Sequence, residues 1–243
     1  MYPGDELLNS AEVSTGSTLG HIDCEAILFD LDGTLVNSYV DAEMCWTSWA
    51  KSVGVIDRFD FPKIFGGRRS DMVLAMLPGL SPEEVAIQVE RVRLAERNQT
   101  ANVVPLPGAT ELLRTLSPNV WAIVTSNDRE VALARLRAAG LPTPRVLLSA
   151  DEVEHGKPDP EGLLRAAAML GVDTSSALAI DDSPTGIDAA CRAKMPSIGV
   201  RFAHSEAALQ NATFVVPNVG CLSLKVGSAG LRVIAHQCEQ ATD

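Results

Sequence analysis

The chain has 243 residues, of which 46% are hydrophobic and 21% charged, with a formal net charge of -11. That length allows one large α/β domain or a domain carrying a smaller insertion, and the apolar content suffices for a sizeable core. The acidic balance without a basic cluster argues against nucleic acid and anionic membrane as partners. No apolar run approaches the roughly 18 residues needed to span a bilayer.

Residues 1–20 are rich in Ser, Thr, Gly and acids and lack the basic start and apolar core of a secretory signal, so a poorly ordered tail is expected. Ala26, Ile27, Leu28 and Phe29 then form an unbroken apolar run, the pattern of a fully buried parallel strand. The run ends in Asp30 and Asp32, followed at once by Gly33 and Thr34. Two carboxylates at the end of a buried strand can cap a turn, but they are costly unless a cation or a reaction uses them. In open α/β sheets that end of a central strand is where ligands sit.

Over residues 41–53, Ala42, Trp46, Trp49 and Val53 fall on one helical face, which favours a packed core over an exposed stacking role for the two tryptophans. Pro62 and the Gly66-Gly67 pair interrupt the pattern, and a short helix is expected over 71–77. Ser81, Pro82 and Glu84 spell a helix start with a capping box, and Val85, Val89 and Val92 mark its buried stripe. No convincing strand occurs between 41 and 104, so residues 41–104 read as a helical domain inserted into an α/β core made of 21–40 and 105–243. From Pro107-Gly108 onward helices and strands alternate. Strands are expected at 120–125, 145–149, 177–180, 197–200 and 213–216, with helices between them, which implies βαβ units in a parallel sheet. Residues 231–235 read as one more edge strand.

The five cysteines (Cys24, Cys45, Cys191, Cys221, Cys238) are scattered and without C-x-x-C spacing, so reduced thiols in a cytoplasmic protein are expected rather than a disulfide framework or a zinc site.

Three further spots fall at strand ends. Thr125, Ser126 and Asn127 precede a helix, where a hydroxyl and backbone N–H groups can hold an anion and where Asn127 or Asp128 can equally cap the helix. Lys157 stands in the rigid loop Gly156-Lys157-Pro158-Asp159-Pro160. Asp181 and Asp182 close a second buried strand, and with Asp30 they could complete an oxygen-rich Mg²⁺ site.

Taken in order, D-L-D-G-T, a strand-end Thr, G-K-P-D-P and D-D-S-P-T-G-I resemble the four motifs of the haloacid dehalogenase superfamily. The helical insertion resembles the C1-type cap of the branch that holds sugar and polyol phosphatases and β-phosphoglucomutase. The resemblance implies a Rossmann-like parallel sheet under an all-helical cap and an Mg²⁺-dependent phosphatase acting on a small phosphorylated metabolite, as monomer or weak homodimer. It implies Asp30 as nucleophile and Asp32 as acid/base. Asp30, Asp182, Asp181 and the backbone carbonyl of Asp32 would serve the metal, and Thr125, Ser126, Asn127 and Lys157 the phosphoryl oxygens. The cap loop with Arg68 and Arg69 would touch substrate, as the matching loop does in relatives, the other reading being two solvated arginines on a surface loop. A second aspartate in D-x-D sets phosphate-ester chemistry apart from dehalogenases and phosphonate hydrolases. Asn37 departs from the Asp common in this branch. The alternatives are a hexose-phosphate mutase and a non-catalytic phosphometabolite-binding module. The mutase branch carries a cap histidine, and the matching position here is Ala42, with no histidine between 41 and 104.

Overall fold

A computed structural model describes residues 17–227 and 230–238. Its centre is a six-stranded sheet built from β2 (Ala26–Phe29), β5 (Trp121–Val124), β6 (Val146–Leu148), β7 (Ala177–Asp181), β8 (Ser197–Val200) and β9 (Phe214–Val216). The order is β6-β5-β2-β7-β8-β9 and every pairing is parallel. Because side chains alternate across a strand, Ile27 and Phe29 enter one apolar core and Leu28 the other. Helices α5 (Ala109–Thr115) and α6 (Arg129–Ala138) cover the first face through Leu112, Leu113, Ala132 and Leu136. Helices α7 (Glu161–Leu170) and α8 (Pro184–Arg192) cover the second through Leu163, Ala166, Ala189 and Ala190. A sheet buried on both faces explains why its strands read as continuous apolar runs. β2 lies between β5 and β7, so the chain reverses its direction of winding there, and the carboxyl ends of these three strands face one crevice.

The short strands β3 (Val36–Asn37) and β4 (Val104–Pro105) pair antiparallel. Between them run α1 (Tyr39–Ser52), α2 (Phe61–Ile64), α3 (Arg69–Met76) and α4 (Pro82–Asn98). These helices have their own core around Trp46, Trp49, Phe61, Met72, Val73 and Val92. The Ser81–Glu84 capping box forms at the start of α4, and α1 and α3 each begin two residues earlier than expected.

Two expectations are corrected at the periphery. Residues 18–20 are not tail: β1 (Thr18–Cys24) pairs antiparallel with β11 (Gly230–His236), and β10 (Leu222–Gly227) completes a separate three-stranded sheet with order β1-β11-β10. Ile22, Cys24, Leu231, Val233 and Ala235 carry this sheet into the first core. Residues 231–235 therefore form the middle strand of that sheet, not an edge of the parallel one. Residues 1–16 lie outside the described residues. The second correction concerns the thiols. Cys221 and Cys238 form a disulfide between the start of β10 and the residues just after β11, while Cys24, Cys45 and Cys191 are free. Hydrogen bonding sets Leu222 opposite Ala235, which brings the two cysteines together at a Cα separation of 5.9 Å. Among the described residues no helix is long and apolar enough to cross a membrane.

Candidate active site

The crevice above β2, β5 and β7 meets the helical insertion in a cleft lined by Asp30, Asp32, Thr125 and Asp182 from the core and by Arg69 and Glu96 from the insertion. Asp30 is placed by its strand: its backbone N–H donates to the Ile180 carbonyl at 2.8 Å, which holds it beside Asp181 and Asp182. Lys157 reaches into the same place from the loop before α7. Its Nζ lies 2.5 Å from Asp30 Oδ1 and 2.8 Å from Asp181 Oδ2. Burial alone would lower the Lys157 ammonium, but Asp181 and Asp30 more than reverse this and hold it protonated. Asp181 Oδ1 also accepts from the backbone and hydroxyl of Ser183, at 2.9 and 2.7 Å.

The charge balance here is incomplete without a further cation. Burial pushes Asp30 up to about 7 despite the opposing pull of Lys157, and the Asp181 and Asp32 charges add to the rise. Burial, then the carboxylates of Asp30 and Asp181, raises Asp182 well above the usual range. Asp182 accepts no hydrogen bond among the described residues, whereas its neighbours all do. A carboxylate that lines the cleft without a partner among the described residues, on a residue only 4% exposed and in an all-oxygen setting, fits a hard divalent cation. Among the described residues no three Asp, Glu, His or Cys side chains converge into a ready-made cage. Mg²⁺ does not need one, since it is commonly held by one or two carboxylates together with waters and phosphate oxygens.

Gly33 shapes this corner. It takes φ +81°, and a Cβ built on it would lie 2.2 Å from Asp182 Oδ2. Gly33→Ala is therefore expected to lower stability by about 1–3 kcal/mol through left-handed strain and to displace Asp182. A shift of the urea midpoint together with a loss of turnover would check this.

Asp32 is buried and held by three donors: Ser38 Oγ at 2.5 Å, Arg135 Nη1 at 2.7 Å, and the Asn127 side-chain amide. Thr125, Ser126 and Asn127 follow β5 into the cleft as the sequence placed them. Neither Asn127 nor Asp128 caps α6 through its side chain. Asn127 Oδ1 accepts instead from Arg69 and Arg135 at 2.9 and 3.1 Å, and Asp128 pairs with Arg69 at 2.8 Å.

The insertion's two arginines part company. Arg69 is buried and lines the cleft, paired with Glu96. Arg68 points elsewhere: its guanidinium donates to the carbonyls of Ala150, Val153 and Glu154, and its aliphatic stem packs on Gly156. In place of the expected substrate contact, Arg68 fastens the insertion to the loop that carries Lys157. Trp46 and Trp49 are buried in the insertion's core, edge to face at 5.3 Å. Glu96 and Arg135 were not anticipated. Both are buried, with Arg135 Nη2 2.9 Å from Glu96 Oε1. A signal existed: Glu96 extends the stripe Val85, Val89, Val92 by one turn, and Arg135 falls four residues after Val131 on the apolar face of α6. A charged residue on a buried stripe needs a partner.

Comparison with known proteins agrees with this geometry. The family description haloacid dehalogenase-like hydrolase matches residues 24–194. The hexitol phosphatase A of Escherichia coli strain K12 is 36% identical over 166 residues, covering 68% of this chain and 77% of that protein. A validoxylamine A 7'-phosphate phosphatase from Streptomyces hygroscopicus subsp. limoneus is 34% identical over 199 residues, covering 79% and 92%. Among solved structures, a β-phosphoglucomutase from Clostridium difficile superposes with TM-score 0.72 at 25% identity, covering 81% of this chain and 92% of that one. The matched span runs from the strand before Asp30 to the helix after Asp182, so it contains both carboxylate pairs and the whole insertion, and on these grounds the chain belongs to the haloacid dehalogenase-like hydrolases.

Proposed function

We propose that this protein is an Mg²⁺-dependent phosphatase that hydrolyses the monophosphate of a small sugar or polyol through an aspartyl-phosphate. The observation that carries the proposal is Asp30, ion-paired with Lys157 in a cleft that Asp182, without a partner of its own among the described residues, also lines. Asp30 attacks phosphorus, an Asp30 oxygen–phosphorus bond forms, and the bond to the sugar oxygen breaks. Asp32 gives its proton to the departing oxygen. It then takes a proton from water, whose oxygen attacks phosphorus and releases inorganic phosphate and the Asp30 carboxylate. Lys157, Thr125 and the backbone around Ser126 bind the phosphoryl oxygens as charge builds on them. Asp30, Asp182 and the Asp32 carbonyl would hold Mg²⁺, with Asp181 beside them; bound there, the ion neutralises carboxylate and phosphate charge. The insertion excludes bulk water from the cleft.

Two phosphatases similar to this chain act, by their names, on hexitol and validoxylamine phosphates, which supports a polyhydroxylated substrate. Hydrolysis is favoured over the mutase alternative because Ala42, buried on the cleft wall, offers no group to hold or move a proton. The test is phosphate release from sugar, polyol, glycolyl and nucleotide monophosphates with Mg²⁺ or EDTA. Release that stops in EDTA is expected. Interconversion of hexose monophosphates without net release would overturn hydrolysis in favour of transfer.

A further inference from the structure

We infer that Glu96 is a specificity-determining residue: it cancels the two arginines of the cleft and so sets the site for an uncharged leaving group and against one bearing a carboxylate or a second phosphate. This rests on the phosphatase reading above and goes beyond it by assigning the selection to one buried carboxylate.

Two guanidiniums above a phosphate site would ordinarily clamp a second anion. Here neither is free to do so. Arg69 Nε donates to Glu96 Oε2 at 2.6 Å, its Nη1 pairs with Asp128 at 2.8 Å, and its Nη2 donates to Asn127 at 2.9 Å. Arg135 bridges Glu96 Oε1 at 2.9 Å and Asp32 Oδ1 at 2.7 Å. Glu96 and Asp128 thus already match the two positive charges, before Asp32 is counted, in a largely buried cluster that joins α3 and α4 of the insertion to α6 of the core. An incoming carboxylate would have to displace a carboxylate already in place, or sit where no positive charge is left unmatched, and water screens such an unpaired charge poorly beside buried groups.

A polyol meets none of this opposition. Glu96 Oε1 accepts one N–H from Arg135, and a carboxylate oxygen has lone pairs to spare for a hydroxyl donor. The wall beside it is apolar, with the partly buried Phe65 in front of the insertion's core. The arrangement therefore offers acceptors for hydroxyls and no unengaged cation for an acid.

The experiment compares kcat/KM for glucitol monophosphate, phosphoglycolate and a hexose bisphosphate in the wild type, Glu96→Gln and Glu96→Asp. Glu96→Gln keeps the shape and removes one negative charge, leaving Arg69 with Asp128 and Arg135 with Asp32. The wild type should prefer the polyol ester by about a hundredfold, and Glu96→Gln should cut that preference by about tenfold or more, through a gain on the anionic esters as well as a loss on the polyol. Glu96→Asp should keep the wild-type order. Asp128→Asn removes a charge from the same cluster at a position 21% exposed that makes no side-chain cap to α6, so it shifts the ratio the same way even if Glu96→Gln does not fold. Structural damage lowers all three substrates together; an unchanged ratio in both variants, or a wild type that takes phosphoglycolate as readily as the polyol ester, overturns the proposal. No release from any ester overturns the phosphatase reading, and this proposal with it.

Discussion

Asp30→Asn is expected to abolish phosphate release, by about a thousandfold or more, in a protein whose thermal midpoint is unchanged or slightly raised. The two halves of that outcome come from the same geometry. The amide cannot form an acyl phosphate, so the first bond-making step is lost. Yet the carboxylate it replaces is buried beside Asp181 and Asp32, and burial raises it to about 7, so its charge opposes folding when no divalent cation is bound. Lys157 keeps Asp181 as a partner at 2.8 Å after the change. Melting curves in EDTA beside phosphate assays in Mg²⁺ would separate the two effects. A variant that stayed active would remove Asp30 from the chemistry, and one that unfolded would make it a structural residue.

The residues around Asp30 were legible because each motif lies within a few residues of a strand end, and the strands are short apolar runs between helical patterns. Asp30, Thr125 and Asp181-Asp182 terminate β2, β5 and β7, and parallel winding carries those three ends to one crevice without further information. Pairings over long sequence distances were not legible. β1 meets β11 across more than two hundred residues, and its alternation of His21, Ile22, Asp23 and Cys24 is too short to distinguish from a polar tail. The Cys221–Cys238 disulfide depends on the register of β10 against β11, which spacing alone does not give. Arg68 and Arg69 are adjacent in sequence and alike in chemistry, yet one grips backbone carbonyls and the other is buried over the cleft. Their directions are set by the start of α3 and by what each meets, so only the packing of α3 and α4 onto the core could tell them apart.

Arg135→Met should cost about 3 kcal/mol, at the low end of what removing one partner from a buried ion pair costs, and should lower kcat by about a hundredfold. The stability loss follows from what remains. Glu96 keeps Arg69, and Asp32 keeps Ser38 and Asn127, so neither carboxylate is orphaned, but each loses a charged partner in a setting with little water. For a chain of this size each kcal/mol corresponds to about 2–4 °C in Tm, which places the shift well within calorimetric reach. The rate loss follows from Asp32, whose Oδ1 would lose the fork that aims it. Arg135→Lys retains the charge but cannot span Asp32 and Glu96 in one plane, so it should restore part of the stability and little of the rate. Combining Arg135→Met with Glu96→Gln supplies the decisive comparison. Once Arg135 is gone, the Glu96 charge is in excess, and neutralising it should cost less than it does in the wild type. A coupling of about 1–3 kcal/mol of that sign is expected from a network that acts as a unit. Strict additivity would mean that Arg135 and Glu96 are neighbours without being partners, and the cleft would then owe the placement of Asp32 to Ser38 and Asn127 alone.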